Sequence, residues 1–360
     1  MELTDDGSPA GPGGSAAATD GFAVPFADLT PDLALNALDA IGLRTSGHLL
    51  ALNSYENRVF QIGLDEPAPG QPAPTGRAGA FVVAKFYRPG RWTDAQILEE
   101  HAFIEELVAA EIPAVPPLRL DGRTLHEVQG FRIAVFPRQG GRAPALDDAD
   151  TLRWLGRFLG RIHAVGAARP FAHRPALDMH TFGEEPSAWL LAGDVVPAGL
   201  REGYRGVVAQ ALDGVRASYA RAGAHGMGAL ATLRLHGDCH EGNVLWTDSA
   251  QSVGPHFVDF DDSRTGCAVQ DLWMLLGDRE EAPQRLRQLL DGYEQFRDFD
   301  DRELALVEAL RTLRLIHYSA WIARRWSDPA FPAAFPWFAT PRYWEDRILE
   351  LREQVAAMQA

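Results

Sequence analysis

Two short segments in the second half of the chain carry its densest groups of polar residues, Leu235–Leu245 (LHGDCHEGNVL) and Phe257–Asp262 (FVDFDD). Apolar residues flank both, so we predict that each lies at a strand end with its polar side chains outside the core. Asp238 and Asn243 place a carboxylate and an amide on one tight loop, and Asp259 can meet Asn243 across a metal ion. Such oxygens, completed by phosphates and water, suit the octahedral shell of Mg²⁺. The pattern favours phosphoryl transfer from ATP, which needs a base, magnesium ligands and a cation on the phosphates.

The predicted cation is Lys85, because it is the only lysine in the sequence. The chain contains 34 lysine and arginine residues, and the other 33 are arginine. The ammonium group is a compact point charge, whereas the guanidinium group is a broad planar fork. A single lysine could stand anywhere by chance, but Lys85 lies in Ala80–Tyr87 (AFVVAKFY), the strongest strand signal of the first half. Its position therefore favours a site that needs the compact head.

These residues resemble the motifs of a known family. HGDCHEGN resembles the H-x-D-x-x-x-x-N catalytic loop of kinases in its aminoglycoside- and choline-kinase-like form, and VDFDD resembles the counterpart of the D-F-G segment. Val82–Lys85 resembles the V-A-I-K strand. The resemblance implies an α+β, bilobal protein-kinase-like fold with a β-rich N-lobe and a mainly helical C-lobe, which would hold ATP and Mg²⁺ between them.

The resemblance also implies a role for each motif residue in the C-lobe. Asp238 would be the catalytic base, and Asp259, the second catalytic residue, would bind magnesium together with Asn243. His236 would support the loop from within. Asp271, in the segment QDLW, would hydrogen-bond the backbone of the catalytic loop and so act as a structural support.

Nucleotide contacts are expected mainly from the N-lobe. Lys85 would contact the ATP phosphates and pair with a glutamate on the following helix, for which Glu100 is preferred to Glu99. The hinge that follows the N-lobe sheet would bind adenine, with Phe136 and Arg138 as the residues next to the nucleotide.

A closer resemblance runs from about residue 25 to the C-terminus. The segments LNSYENRVFQ, KFYRPGRWTDAQILEEH, FPRQGGR, VQDLWMLL and RRWSDPAFPAAFPWF are similar to bacterial Ser/Thr protein kinases of the stress response within the aminoglycoside-phosphotransferase superfamily. Asn53–Asn57 lacks the glycine-rich loop of ordinary kinases, so Ser54 and backbone N–H groups would cover the phosphates. The Pro/Gly-rich stretch 66–79 is a second departure and lengthens a strand connection.

Three regions follow from the patterns along the chain. Residues 1–24 are predicted to be a disordered tail, 25–137 the N-lobe with a flexible insert at 66–79, and 138–360 the C-lobe. A capping box at Thr93–Gln96 predicts a helix after the third strand. Predicted strands lie at His48–Leu52, Arg58–Ile62, Ala80–Tyr87, Leu118–Leu120, Thr124–Val128, Phe131–Phe136, Leu233–Leu235, Val244–Trp246 and Phe257–Val258; predicted C-lobe helices lie around 152–162, 200–222 and 303–326.

Composition bounds the possible partners. With 46% apolar residues, the chain can bury a large core or two lobes that share a cleft. A net charge of -15 argues against nucleic acid and against anionic membranes. Two cysteines, Cys239 and Cys267, form no disulfide scaffold, and the acidic N-terminal segment lacks the features of a signal peptide, so we expect a cytoplasmic monomer.

Several alternatives remain open at this point. Asp238 alone would usually be a turn residue, but its spacing to the other motif residues favours catalysis. Gly237–His240 also fits the G-D-x-H of metallophosphoesterases, although no G-N-H-D/E segment follows. Cys239 and His240 could be zinc ligands, but a zinc site needs four ligands and no second Cys/His pair is spaced nearby. A pseudokinase, which would bind nucleotide as a scaffold, would normally lack one of Lys85, Asp238 or Asp259, and all three are present. Within the family, the acceptor is either a protein hydroxyl or a small molecule of the aminoglycoside, choline or homoserine type.

Overall fold

The computed structural model describes residues 24–71, 80–223, 229–249 and 252–359. The predicted tail, except for Val24, and residues 72–79 of the predicted insert lie outside the described residues. Residues 65–71, the part of this connection that is described, form bends and a turn.

An antiparallel sheet of five strands forms the N-lobe, in the order β1-β2-β3-β5-β4. Its first three strands form the predicted meander, and Lys85 on the central strand β3 pairs with Val59 of β2 and Ala134 of β5. β-Branched and aromatic residues dominate β3, which is typical of a strand packed on both sides. The strands are β1 (Thr45–Ala51), β2 (Arg58–Leu64), β3 (Ala80–Phe86), β4 (His126–Val128) and β5 (Phe131–Pro137).

Two helices pack beside this sheet. α1 (Pro31–Ala40), which the sequence patterns did not predict, begins after Thr30, whose hydroxyl accepts a hydrogen bond from Leu33 N. α2 (Asp94–Ala109) begins with the predicted capping box, in which Thr93 and Gln96 bond each other reciprocally. Because α2 carries Glu100 on its buried face, the helix brings that carboxylate under β3.

The strand predicted at Leu118–Leu120 is wrong. Leu120 forms a single bridge with Arg123 across a two-residue turn in which Asp121 and Gly122 have positive φ angles of 48° and 75°. Leu118 N instead donates to the Val135 carbonyl oxygen of β5 at 2.6 Å, and the segment forms no ladder of its own. The next strand is also shorter than predicted, because β4 begins only at His126.

The C-lobe is mainly helical, as predicted. The helices expected around 152–162, 200–222 and 303–326 correspond to α3, α5 and α8. The helices are α3 (Ala149–Gly166), α4 (Glu185–Ala192), α5 (Arg201–Arg221), α6 (Val269–Trp273), α7 (Ala282–Tyr293), α8 (Val307–Arg324), α9 (Ala330–Ala334) and α10 (Pro341–Gln359). Two small antiparallel pairs interrupt them, β6 (Leu233–Leu235) with β9 (Arg264–Gly266) and β7 (Val244–Ser249) with β8 (Ser252–Phe257).

The aromatic and proline-rich segment 329–338 closes the C-lobe core, as predicted. Phe331 is fully buried among residues of α4, α5, α8 and α10, and Phe335 and Phe338 are at least nine-tenths buried. Just before this segment, buried Asp328 accepts hydrogen bonds from Arg58 and Arg88 of the N-lobe at 2.7 and 2.6 Å. The segment therefore ties the lobes together on one side of the cleft. No helix in the described part of the chain has the length and apolarity to cross a membrane.

Candidate active site

The two polar segments identified in the sequence meet at the base of the cleft. The loop after β6 turns at Gly237, whose φ is +86°. A Cβ atom at this position would lie only 2.1 Å from the carbonyl oxygen of Asp262, so the close approach of the two backbones requires glycine. The contact fixes this loop against the segment that follows β8.

Asp271 holds the loop from below. Its two carboxylate oxygens accept hydrogen bonds from the backbone N–H groups of His236 and Gly237, both at 2.8 Å. His163 Nε2 lies 3.1 Å from the same carboxylate, and the hydroxyl of Tyr293 lies 2.9 Å from His163 Nδ1. Asp271 and His163 are fully buried, so these bonds form a buried chain from α7 through α3 to the loop.

We expect Asp271→Asn to destabilise the protein by about 2 to 4 kcal/mol, because the amide replaces one of two acceptor oxygens by a donor and leaves one buried backbone N–H facing it. Urea unfolding followed by tryptophan fluorescence measures this loss. Asp291→Asn is the matched control, since the side chain of Asp291 is 61% exposed. Equal unfolding midpoints for Asp271→Asn and the unaltered protein would contradict the supporting role.

Asp238 is ionised and held by three neighbours. Arg314 Nη1 of α8 lies 2.6 Å from Asp238 Oδ1, Asn243 Nδ2 lies 2.9 Å from the Asp238 carbonyl oxygen, and His240 Nε2 lies 3.5 Å from Oδ2. Burial acts to raise the pKa of Asp238, but the hydrogen bond from His240 and the charge of Arg314 hold it well below its usual range. Asp238 is thus a carboxylate able to accept a hydrogen bond.

Lys85 lies within ion-pair distance of three carboxylates. Its Nζ is 3.7 Å from Glu100, 3.2 Å from Asp259 and 3.0 Å from Asp261. Burial acts to lower the pKa of Lys85, but these carboxylates raise it well above its usual value, so the ammonium stays charged. Burial raises the pKa of Glu100 to about 7. Glu99, the less favoured candidate, instead accepts hydrogen bonds from the backbone of residues 172–174.

Asn243 and Asp259 lie at neighbouring points of the cleft. Val258 N donates to the Asn243 carbonyl oxygen at 3.1 Å, which brings Asn243, just before β7, close to Asp259, just after β8. The side chain of Asp259 is 55% exposed, and its backbone is left-handed with a φ of 58°. Because the Asn243 amide nitrogen bonds Asp238, its Oδ1 is the atom left to face a ligand. One carboxylate and one amide oxygen fit Mg²⁺, which keeps water and phosphate ligands.

No group of three His, Cys, Asp or Glu side chains within the described ranges is arranged to hold a metal ion. A zinc site of four such ligands is therefore without support there, whereas the proposed magnesium ligands include an amide.

A cavity of about 310 Å³ lies between the lobes and brings most of the predicted site residues together. Its lining includes Ser54, Lys85, Glu100, Phe136, Asn243 and Asp259. The hydroxyl of Ser54 donates to the Asn57 carbonyl oxygen at 3.2 Å, which closes the turn between β1 and β2.

Arg138 is not brought to this cavity. It is exposed, and its Nε donates to Gln61 Oε1 at 2.7 Å. Pro137 and Gln139 line the cavity at this point of the chain. The guanidinium carbon of Arg138 also lies 5.9 Å from the ring centroid of Phe81, so the side chain is held against β2 and β3 outside the cavity.

His236 lies behind the loop and does not line the cavity. Its Nε2 is 2.9 Å from the Val258 carbonyl oxygen, and its ring packs on Phe260 with centroids 4.4 Å apart. These contacts suit a residue that supports the loop.

Sequence reasoning missed several residues of the site. Asp261 is buried, contacts Lys85 and accepts a hydrogen bond from Arg91 at 2.5 Å and from Asn57 at 3.2 Å. The run of two aspartates after Phe260 was a signal for it. Arg314 carried no such signal, because it is one of 33 arginines and lies 76 residues from Asp238.

The fold and the site define a class of protein. The model of the phosphotransferase enzyme family (APH) matches residues 49–307, and the chain belongs to this family. The metallophosphoesterase interpretation is thereby left without support.

Named relatives make the similarity more specific. The chain is 42% identical over 335 residues to stress response kinase A of Escherichia coli (strain K12), covering 93% of this chain and 95% of the relative. It is 41% identical over 330 residues to the serine/threonine protein kinase RdoA of Salmonella typhimurium, covering 91% of this chain and 93% of the relative. The chain is thus similar to kinases of the stress response over nearly its whole length.

Solved structures share the fold at low identity. A microcompartment-associated aminopropanol kinase superposes with a TM-score of 0.66 at 18% identity, covering 92% of this chain and 97% of that one. An amicoumacin kinase in complex with AMP-PNP, Ca²⁺ and Ami superposes with a TM-score of 0.63 at 19% identity, covering 88% of this chain and 94% of that one. These likenesses establish the bilobal α+β architecture.

Proposed function

We propose that this protein transfers the γ-phosphoryl group of ATP, with Mg²⁺, to a serine or threonine hydroxyl of a protein in a bacterial stress response. The observation that carries the proposal is the convergence of Lys85, Asp259 and Asn243 on one cavity, with Asn243 bonded to Asp238. Phosphoryl transfer depends on positioning and charge stabilisation, and these groups supply a cation, oxygen ligands and a base.

Each residue has a distinct part in this proposal. Lys85 binds the phosphates, and Glu100 holds the ammonium in place. Asp259 and Asn243 hold Mg²⁺, which neutralises charge on the phosphates when it is bound. Asp238 accepts the proton of the attacking hydroxyl. Ser54 and the backbone of its turn cover the phosphates, and the cavity wall at Phe136 contacts the adenine.

A cytoplasmic monomer is the state that we propose for the protein. Both cysteines are unpaired, and Cys239 is buried in the core, which suits a reducing compartment. The similarity to stress response kinases supports a protein acceptor, since one of these relatives is named a serine/threonine protein kinase.

The test uses the purified protein with γ-labelled ATP and Mg²⁺. It is offered unstructured proteins rich in serine and threonine, and in parallel aminoglycosides, choline and homoserine. We expect label on protein hydroxyls and none when EDTA removes the metal. Label that moves to a small molecule alone would overturn the protein acceptor while leaving phosphotransfer in place. Absence of both transfer and ATP hydrolysis would overturn the whole proposal.

A further inference from the structure

A second cavity of about 280 Å³ lies beside the active site and is unusually rich in arginine. Arg91, Arg264, Arg324 and Arg325 line it, whereas Glu185 is the one acidic residue among its described lining residues. The whole chain has a net charge of -15, so four arginines on the wall of one cavity are a local departure from its acidic composition. Carboxylates outside the lining, Glu56, Asp261 and Asp262, pair with three of them. Arginine forks of this kind match the geometry of carboxylate and phosphate groups.

Arg264 is the most confined of these residues. It is 92% buried, and its guanidinium carbon lies 5.3 Å from the ring centroid of Trp92 and 5.0 Å from that of Phe182. The two rings hold the guanidinium plane in place. A fixed donor loses little conformational entropy when an anion binds, so the arginine is preorganised.

The charge of Arg264 is only partly compensated within the described residues. Its nearest carboxylate partner, Asp262, lies 3.7 Å away, and its buried Nε–H has no hydrogen-bond acceptor. Burial lowers the pKa of Arg264 to about 10, and the neighbouring Arg91 acts in the same direction. A buried donor without an acceptor is costly, which indicates that the site gains free energy when an anion enters.

The other arginines have carboxylate partners that fix their positions. Arg91 bonds Asp262 at 2.7 Å, Arg325 Nε lies 2.6 Å from Glu56, and Arg324 bonds Glu185 at the rim. These pairs orient the arginines toward one space. The side chain of Arg324 is 31% exposed and so forms the entrance from solvent.

Helix α8 connects this cavity to the catalytic carboxylate. Arg314 bonds Asp238, and His317, Trp321 and Arg324 follow at helical spacing on the side of α8 that lines the cavity. At 1.5 Å per residue, the cavity extends roughly 5 to 15 Å along the helix from Arg314. A hydroxyl placed at Asp238 can therefore belong to a molecule that also reaches the arginines.

We propose that this cavity binds an anionic group, a carboxylate or a phosphate, carried by the phosphoryl acceptor, so that the acceptor is acidic close to its reacting hydroxyl. The inference rests on the proposed function and names its substrate class. It runs against the acceptor that the overall acidity of the chain would favour, a cationic molecule. Local geometry decides the outcome, because charges beyond about 10 Å are largely screened at cellular salt.

The first test compares acceptors that differ only in charge. Peptides with one threonine carry glutamate, glutamine or lysine about three residues away, and small hydroxy compounds are offered in carboxylate, amide and amine forms. With the unaltered protein we expect kcat/KM for the acidic acceptor to exceed that for the neutral one by at least about tenfold. In Arg264→Gln we expect KM for that acceptor to rise about 10- to 100-fold with kcat nearly unchanged.

Arg264→Gln changes a buried residue and could impair folding. Arg324→Gln tests the same cavity without this risk, because Arg324 lies at the rim. It should raise the same KM, and Arg264→Lys should restore part of the loss. Arg153→Gln is the control, since Arg153 is a partly exposed arginine on α3 that also pairs with an aspartate. It should leave the preference for acidic acceptors intact.

The second test needs no turnover. Calorimetry with O-phosphoserine at fixed ionic strength should show binding to the unaltered protein that weakens at least about tenfold in Arg264→Gln and in Arg324→Gln. Equal affinity in the three proteins would overturn the anion site, whatever their activity. Equal use of acidic and neutral acceptors by the unaltered protein would also overturn it while leaving phosphotransfer intact.

Discussion

Asp238→Asn is expected to lower the rate of phosphoryl transfer by about 100- to 10,000-fold, because the amide cannot accept the proton of the attacking hydroxyl. The side chain keeps its size, and the loop keeps its bonds to Asp271, so the pocket for the nucleotide should survive. Initial rates with labelled ATP and saturating Mg²⁺ measure transfer. Calorimetric titration with a non-hydrolysable ATP analogue measures nucleotide affinity, which we expect to stay within about threefold of the unaltered protein.

The control for this variant is Asp248→Asn on β7, where the residue is exposed. It should transfer phosphate at the normal rate. Normal turnover by Asp238→Asn would remove Asp238 as the base, whereas loss of nucleotide affinity in parallel with turnover would indicate damage to the pocket. Asp238→Asn should also have a lower unfolding midpoint than the unaltered protein, because Arg314 loses the carboxylate with which it forms an ion pair.

Lys85→Arg is expected to reduce kcat/KM for ATP on the order of 100-fold, although it preserves the charge. The Lys85 side chain is 6% exposed, and its ammonium lies 3.0 to 3.7 Å from three carboxylates, a space that suits a compact head. The larger planar guanidinium must shift either the carboxylates or the phosphates. Steady-state kinetics over a range of ATP concentrations measure the effect.

Thermal unfolding separates this effect from loss of the fold, and a midpoint close to that of the unaltered protein is expected. Arg153→Lys, the reverse exchange at a partly exposed position, serves as the control and should keep normal kinetics. Full activity in Lys85→Arg would show that any cation serves here. The single lysine among 34 basic residues would then have no functional meaning.

Much of the fold and of the site was predictable because the signals are local. The capping box at Thr93, the strand that carries Lys85 and the stripes of α3 and α5 each depend on residues a few positions apart. The loop from His236 to Asn243 is equally local, so its spacing alone indicates one tight turn with a carboxylate and an amide. The resemblance of these motifs to known kinases then led to the bilobal class of fold.

Local patterns also produced the errors. Leu118–Leu120 has the apolar character of a strand, but the turn at Asp121 and Gly122 ends it after one bridge. Arg138 follows the hinge in sequence, yet its hydrogen bond to Gln61 holds the side chain outside the cavity. In both places contacts with other residues decided the outcome, and the apolar or basic character of the residue did not reveal it.

The sequence by itself determined which functional groups are available for chemistry. These are the ammonium of Lys85, a loop with a carboxylate and an amide, and a second carboxylate after a strand. The tertiary structure alone decided which arginines matter. Arg314 meets Asp238 across 76 residues, Asn57 meets Asp261 across 204, and four arginines from both lobes line one cavity. The physical reason is that charge interactions depend on distance in space and on burial, and a sequence with 33 arginines contains neither.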